Sequence, residues 1–440
     1  MKLRAAPEWL LSPALPAAGV LYGILFCLAG THFKGGMWSP LATKLFFGVF
    51  FVWVGMLAWK NRHLLQNPGL TDKMYGLFIL GILLSLLAHG EADFVAVKYL
   101  QFVPFLAVLP YIAGRIMTPV DIKLLMHVFV WVGPLALLLA AIDYSQSREA
   151  MTTGPRWIFF DTDHSPLLLS FMLSASLIAA SFMLFSKPRV VWRQAALLVV
   201  QVICVAALVF VAARGVLLGA VLGVAFMMFA MRGASIARRA AFLGYLSVVL
   251  AFSFSVLPNP QSEHYAKLMT GSGIVNMTSV GVNYPASDAF PILGEAACKP
   301  FAEGQNSVAM RWVLYKEAVS VFMSAPWVGV GPASFGRHSC VGVMGYPHST
   351  VLQSFAELGV VGGLLFVGLM ACAIASNFRS VGGLKQWMMP FMLGMLVQFL
   401  ATDQLYGNYF MAAGTYFWVG VSASVQSNSE RSPPWGNENA

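Results

Sequence analysis

Residues 195–231 read AALLVVQVICVAALVFVAARGVLLGAVLGVAFMMFAM, and Arg214 is the single charged residue among them. A membrane-spanning helix takes about 20 residues, so this stretch is too long for one span and long enough for two. The chain turns at Arg214-Gly215. An arginine near a bilayer is costly and by default marks a site. Two readings of it are open. One is an arginine snorkelling at a helix end. The other is a guanidinium facing a phosphate, which its planar fork suits. Gly215, Gly219 and Gly223, at four-residue spacing, predict close helix packing behind it.

The rest of the chain has the same character. Of its 440 residues, 58% are hydrophobic and 10% charged. Soluble domains are about half apolar and roughly a quarter charged, so there are too few charges here to cover a water-soluble enzyme. Disorder needs low hydrophobicity and high charge and is excluded as well. The class is an all-α polytopic membrane protein. Apolar runs lie near 14–30, 41–59, 74–89, 94–113, 122–142, 166–185, 195–213, 215–231, 240–257, 351–376, 387–402 and 408–425, which makes about twelve spans. The first, after Lys2 and Arg4, reads as an uncleaved anchor.

The net charge of +9 concerns orientation rather than nucleic acid. With a cytoplasmic N-terminus, the short inside loops hold Lys60, Arg62, Lys73, Arg115, Lys123, Lys187, Arg189, Arg193, Arg232, Arg238, Arg239, Arg379 and Lys385. The opposite orientation would place this set outside, against the positive-inside rule. Both termini are therefore expected in the cytoplasm. Residues 1–257 supply nine spans, 258–350 a long outer loop, 351–425 three more spans, and 426–440 a cytoplasmic tail.

A ninety-residue loop without structure would be unusual, so 258–350 is expected to fold and to have a task. Within it, 307–323 predicts an amphipathic helix with Trp312, Tyr315, Val319 and Phe322 on the apolar side, and Arg311, Lys316 and Glu317 elsewhere on its surface. Pro326, Gly329, Gly331 and Pro332 then break the chain into turns. Cys298 and Cys340 both fall in this loop, where an oxidising compartment would allow a disulfide. Cys27, Cys204 and Cys372 fall in spans and read as small apolar packers.

Three features carry candidate chemistry. Arg214 is the first. The second is PHSTVLQSFAELGVVGG, Pro347 to Gly363. His348 stands there at the water–lipid boundary, either as a surface polar residue or as a base able to take a proton from a hydroxyl. Glu357 lies nine residues, about two and a half helical turns, further on, within reach of the same cavity. His338, beside Arg337 in mid-loop, is the competing histidine and reads as surface. The third is Arg311 in MRWVLYKEA, followed by PWVGVGPASF from Pro326 to Phe335. The glycine pair lacks the GK[ST] of a phosphate loop, so no nucleotide is implied. Lys98 and Arg156 are further cations on the outer side. The loop itself is balanced, with Lys267, Lys299, Arg311, Lys316 and Arg337 against Glu263, Asp288, Glu295, Glu303 and Glu317. Its positive potential is therefore local and suits a diphosphate rather than a broad polyanion.

These residues resemble the O-antigen ligase and polymerase superfamily. The resemblance rests on Arg311-Trp312, on Pro326, Gly329, Gly331 and Phe335, and on His348, Leu352, Gln353, Glu357 and Gly359, taken in order. Arg214-Gly215 between adjacent spans and the single long loop fit as well. Ser349 stands where many relatives carry asparagine, so that position is not expected to be essential to chemistry.

The resemblance implies a membrane-embedded, GT-C-like glycosyltransferase in a bacterial inner membrane, working on the periplasmic side. The donor it implies is a polysaccharide on undecaprenyl diphosphate, and the acceptor a sugar hydroxyl of lipid A-core, with no metal, nucleotide or other cofactor. Arg214 and Arg311 would hold the diphosphate, and His348 would deprotonate or orient the acceptor hydroxyl in an inverting displacement. Glu357 would orient His348, with Lys98 and Arg156 as supporting cations. The alternatives are a polymerase that joins lipid-linked repeats, a ligase for pilin-type proteins, and a transporter of a lipid-linked anion. The last would line mid-membrane depth with polar groups, whereas these span centres are poor in charge.

Overall fold

A computed structural model describes residues 40–89, 103–146, 167–186, 190–211, 214–230, 235–256, 307–339, 346–379, 392–394, 396–399 and 409–431. The described residues are helical and contain no strand. The long helices are α1 (Pro40–Lys60), α2 (Leu70–His89), α3 (Leu109–Arg115, continuing a π-helical turn Val103–Val108) and α4 (Pro119–Gln146). Then come α5 (Leu167–Ser186), α6 (Val191–Val211), α7 (Arg214–Ala230) and α8 (Ile236–Val256). After the long loop follow α9 (Ser307–Ser324), α10 (Thr350–Arg379) and α11 (Tyr409–Arg431). Among the described residues, four segments are long and apolar enough to cross a membrane: Leu70–His89, Val191–Phe210, Ile236–Ser255 and Thr350–Phe378. Shorter apolar stretches lie in α1, α4, α5 and α7. The chain is a polytopic, integral membrane protein. The span expected at 14–30, Lys98, Arg156, Cys298 and Cys340 lie outside the described residues.

The order of the helices follows from side-chain contacts. Thr71 Oγ1 and Ser376 Oγ are 2.9 Å apart at one end of α2 and α10. At the other end His89 meets the turn that precedes α10. The two helices are thus antiparallel. Segment 392–399 runs back beside α10, with Met392 against Asn377 and the Phe399 carbonyl accepting from Thr350 Oγ1 at 3.4 Å.

The predicted glycine packing of α7 is against this returning segment. A Cβ on Gly219 would come within 2.9 Å of the Gly394 oxygen and 2.6 Å of the Gln398 side chain. Gln398 in turn donates to Ser174 of α5 at 2.6 Å. Small residues let these backbones approach, and a side-chain amide ties them together.

Two devices hold the rest. Pro134 interrupts α4 and leaves its hydrogen-bond ladder open. The Ser176 hydroxyl of α5 fills the gap, accepting from the Gly133 N–H and donating to the Phe129 carbonyl, both at 2.6 Å. Helices α3 and α11 cross at Gly114 and Gly420. A Cβ at either glycine would overlap the other helix's backbone, at 2.1 Å from the Phe417 or Tyr111 oxygen.

At the end of the bundle where α3 stops, Arg115 is 1% exposed and its Nε donates to Asp72 Oδ1 at 2.8 Å. Tyr111 donates to the same oxygen at 2.6 Å, and the Gly69 N–H binds the other at 2.8 Å. This inward-facing arginine, expected to lie in a loop, is part of a buried polar cluster. An ionised pair survives burial only when its remaining donors and acceptors are matched like this.

Candidate active site

Helix α10 starts two residues after His348. Ser349 caps it, its carbonyl accepting from Gln353 N at 2.9 Å and its Oγ receiving Leu352 N at 3.4 Å. His348 itself has φ +52°. A residue with a Cβ adopts that left-handed backbone at a cost, and such strain is kept where the surroundings fix it. The Tyr346 ring lies 4.3 Å from the His348 ring, centroid to centroid. His348 is half-buried at the head of a long helix.

Eleven residues after His348, α10 breaks. Gly359 has φ +68° and ψ −169° inside the helix. A break leaves backbone donors and acceptors free, and near lipid these must be met by protein. The turn from Ala325 to Ser334 meets them. Val330 N donates to Ala356 O at 3.1 Å and Gly331 N to Glu357 O at 3.0 Å. Val360 N, beyond the break, donates to Pro326 O at 2.7 Å.

The fit requires glycine on both sides. A Cβ on Gly329 (φ +70°) would sit 2.3 Å from the Glu357 carbonyl, and one on Gly359 would sit 2.4 Å from the Trp327 carbonyl. The two separate motifs of the sequence, P-W-V-G-V-G and E-L-G, are therefore halves of one interlocked unit.

Glu357 completes it. The residue is 1% exposed. Its carboxylate accepts from Ala333 N at 3.0 Å, Phe335 N at 3.2 Å and Gln353 Nε2 at 3.2 Å. A buried carboxylate is tolerated when bonded in this way, and such charge-assisted bonds are the strong ones. Glu357 thus shapes the glycine turn that seats the head of α10.

Helix α9 packs on this unit. Leu314, Ala318 and Val321 form a buried cluster with Phe335 and Ala356, and Phe322 lies edge-on to Phe355 at 5.7 Å. The apolar side expected from the sequence is rotated: Val319 is 51% exposed, while Glu317, expected on the surface, is 2% exposed. Arg311, three residues before Leu314, shares the inward side and is half-buried. Phe322 pairs with Phe355 and Pro326 with Val360, so α9 and the start of α10 run the same way. Their N-terminal ends, with Arg311 and His348, lie on one side.

Arg214 is the first residue of α7. Gly219 and Gly223 flank Gly394, and Gly219 also meets Gln398. The neighbouring Phe399 meets Thr350. Those contacts put the start of α7 at the same end as the start of α10. Arg214, Arg311 and His348 therefore belong to elements whose starts share one end of the bundle. His338, read as surface, is exposed in the short turn Phe335–His338.

Comparison with known families gives the decisive result. Residues 199–367 match the O-antigen ligase family model. The segment that is similar to that family includes Arg214, Arg311, the glycine turn, His348 and Glu357. No curated protein sequence matches the chain.

Two contributors to this site were not visible in the sequence. His89 of α2 binds Gly329 O through Nε2 at 3.0 Å. Gln353 holds the Glu357 carboxylate. Gln353 lay within a noted motif without a role, and His89 belonged to no motif.

Proposed function

We propose that the protein transfers a polysaccharide from undecaprenyl diphosphate to a sugar hydroxyl of lipid A-core at the periplasmic face of the inner membrane. The observation that carries this reading is the O-antigen ligase match over 199–367, with Arg214, Arg311 and His348 of that segment at one end of the bundle. The O-antigen ligase and polymerase family handles lipid-linked polysaccharides. The N-termini of α7, α9 and α10 also come to that end, and helix N-termini favour anions. A diphosphate entering from the membrane would meet these termini and the two guanidinium groups.

In the reaction the bond from the anomeric carbon to the diphosphate oxygen breaks, and the electron pair leaves on undecaprenyl diphosphate. Arg214 and Arg311 stabilise that charge. The acceptor oxygen attacks from the opposite face of the sugar, so the configuration inverts, and His348 takes its proton. Glu357 acts through the turn it holds: Phe335, whose N–H it binds, packs in the cluster beneath the head of α10. Lys98 and Arg156 are supporting cations of the outer side, and bridging of Cys298 to Cys340 would staple the long loop.

The test is reconstitution of the purified protein with lipid-linked polysaccharide, with and without lipid A-core. Product that forms only when lipid A-core is present supports the ligase reading. Lengthening of the donor in its absence would show a polymerase instead.

A further inference from the structure

Helix α9 belongs to the long outer loop, yet it turns apolar side chains outward. Val319 and Met323 are exposed, and so are Trp327 and Val328 in the turn that follows, Trp327 at 73% and Met323 at 67%. Positions 316, 319 and 323 fall on one side of a helix. Lys316, also exposed, therefore ends this stripe with a charge, about one turn above Val319. A helix that faces water carries polar groups on its outer side. A contiguous apolar stripe marks contact with something apolar.

The stripe is continuous with the outer side of a spanning helix. The Trp327 carbonyl abuts Gly359, and Val360 N donates to Pro326 O at 2.7 Å. Beyond that junction Val361, Leu364 and Val367 are the exposed side chains of α10, each three residues after the last. In a segment apolar enough to cross a membrane, such a side meets lipid.

Depth follows from helix geometry. Residues 360–379 make about 20 residues, or ~30 Å of helix, the thickness of the hydrocarbon core. Ahead of the break, 350–359 carries Thr350, Gln353, Ser354 and Glu357. The break thus stands at the outer boundary of the core, with Trp327 beside it. Helix α9 rises from there along the head of α10. Met323 is about 5 Å and Val319 about 10 Å above Pro326 along the helix, and the headgroup zone of one leaflet is about 5–8 Å thick. Tryptophan is enriched at that boundary. A lysine lays its stem on apolar surface and keeps its charge in water or among phosphates.

We infer that α9 and the glycine turn are seated in the outer leaflet, with Trp327 at the edge of the hydrocarbon core and Lys316 above the headgroups. The partner of the stripe is the phospholipid of the bilayer. The seat explains why Val319 faces outward. It has one consequence that rests on the transfer reading above: Arg311 and the head of α10 are held near the plane of a lipid-borne diphosphate. The seat itself does not depend on that reading.

The experiment is tryptophan fluorescence of the full-length protein in phosphatidylcholine nanodiscs, with or without bromine near the carbonyl end of the acyl chains. The chain has 12 tryptophans, so the Trp327 emission is taken as wild type minus Trp327→Phe. Bromine quenches on contact, and most of that emission should be lost in brominated discs. No loss would mean that water, a second copy or another part of the chain covers the turn, and overturns the seat. Met323→Trp, made together with Trp327→Phe, carries the probe onto α9. Its emission should be quenched as well, though less. Quenching confined to Trp327 overturns the seating of α9.

Transfer is then measured on Met323→Glu, an exposed position that leaves the core untouched. A charge there lifts α9 and should raise KM for the lipid-linked polysaccharide, with kcat near that of wild type. An unchanged KM overturns the consequence for Arg311 and leaves the seat. Absence of transfer from wild type, with the quenching intact, would sink the glycosyltransferase reading alone.

Discussion

Arg115 and Arg311 lie at opposite ends of the same helical bundle and are held in opposite ways. Arg115 is buried against Asp72, with Tyr111 and the Asn67 carbonyl completing its surroundings. Arg311 is half-buried, and among the described residues no carboxylate pairs with it. Glu357, on the helix against which α9 packs, has its oxygens engaged by backbone N–H groups of the glycine turn. At one end, then, the acid neutralises the arginine. At the other, the acid builds a turn, and under the proposed function the cation serves the diphosphate of the donor. Residue type and burial alone do not separate a structural arginine from a functional one; where the neighbouring carboxylate spends its bonds does.

This contrast can be broken by substitution. The largest effect is expected at the reactive end. His348→Ala should lower transfer about 10²–10⁴-fold, the usual contribution of a positioned base, with an unchanged melting temperature in detergent. At the other end Arg115→Ala leaves the half-buried Asp72 with Tyr111 and the Gly69 N–H alone and should cost about 1–3 kcal/mol of stability, read from thermal unfolding.

Gly359→Val tests the interlock between them. It forces a β-branched residue into a left-handed position against the Trp327 carbonyl, and should cost about 2–4 kcal/mol. Transfer should fall as well, because the head of α10 loses its seat. The smallest of these is Gly420→Ala. It pushes α11 away from the Tyr111 carbonyl of α3 and should cost about 1–3 kcal/mol, with little change in transfer per folded molecule.

Much of the architecture was legible from apolar runs. The runs at 122–142, 166–185 and 240–257 correspond to α4, α5 and α8 within a few residues, because about 20 uncharged residues have few alternatives to a spanning helix. Gly219 and Gly223 were legible as packing residues, although their partner, Gly394, was not. The site was legible in part. Arg214 stood out as a charge inside an apolar run, and Arg311, His348 and Glu357 stood out through the motifs that hold them.

What stayed hidden depends on tertiary contact. The direction faced by α9 was misjudged because Val319 and Glu317 reversed their ordinary preferences, and helical spacing cannot show what packs on a short helix. The union of the Gly329 and Gly359 motifs needs a break inside α10, which an unbroken apolar run conceals. The grip of His89 on Gly329 joins residues 240 positions apart, with no pattern in between to announce it.

The most direct test sets the two arginines side by side. Purified Arg311→Ala and Arg115→Ala proteins would be given lipid-linked polysaccharide and lipid A-core, and transfer counted per folded molecule. Arg311→Ala is expected to lose about 10²–10³-fold, as when a group that stabilises developing charge is removed, while Arg115→Ala retains transfer in whatever fraction stays folded. Equal losses in the two proteins, or full transfer by Arg311→Ala, would contradict the division between a neutralised arginine and one that holds the departing diphosphate.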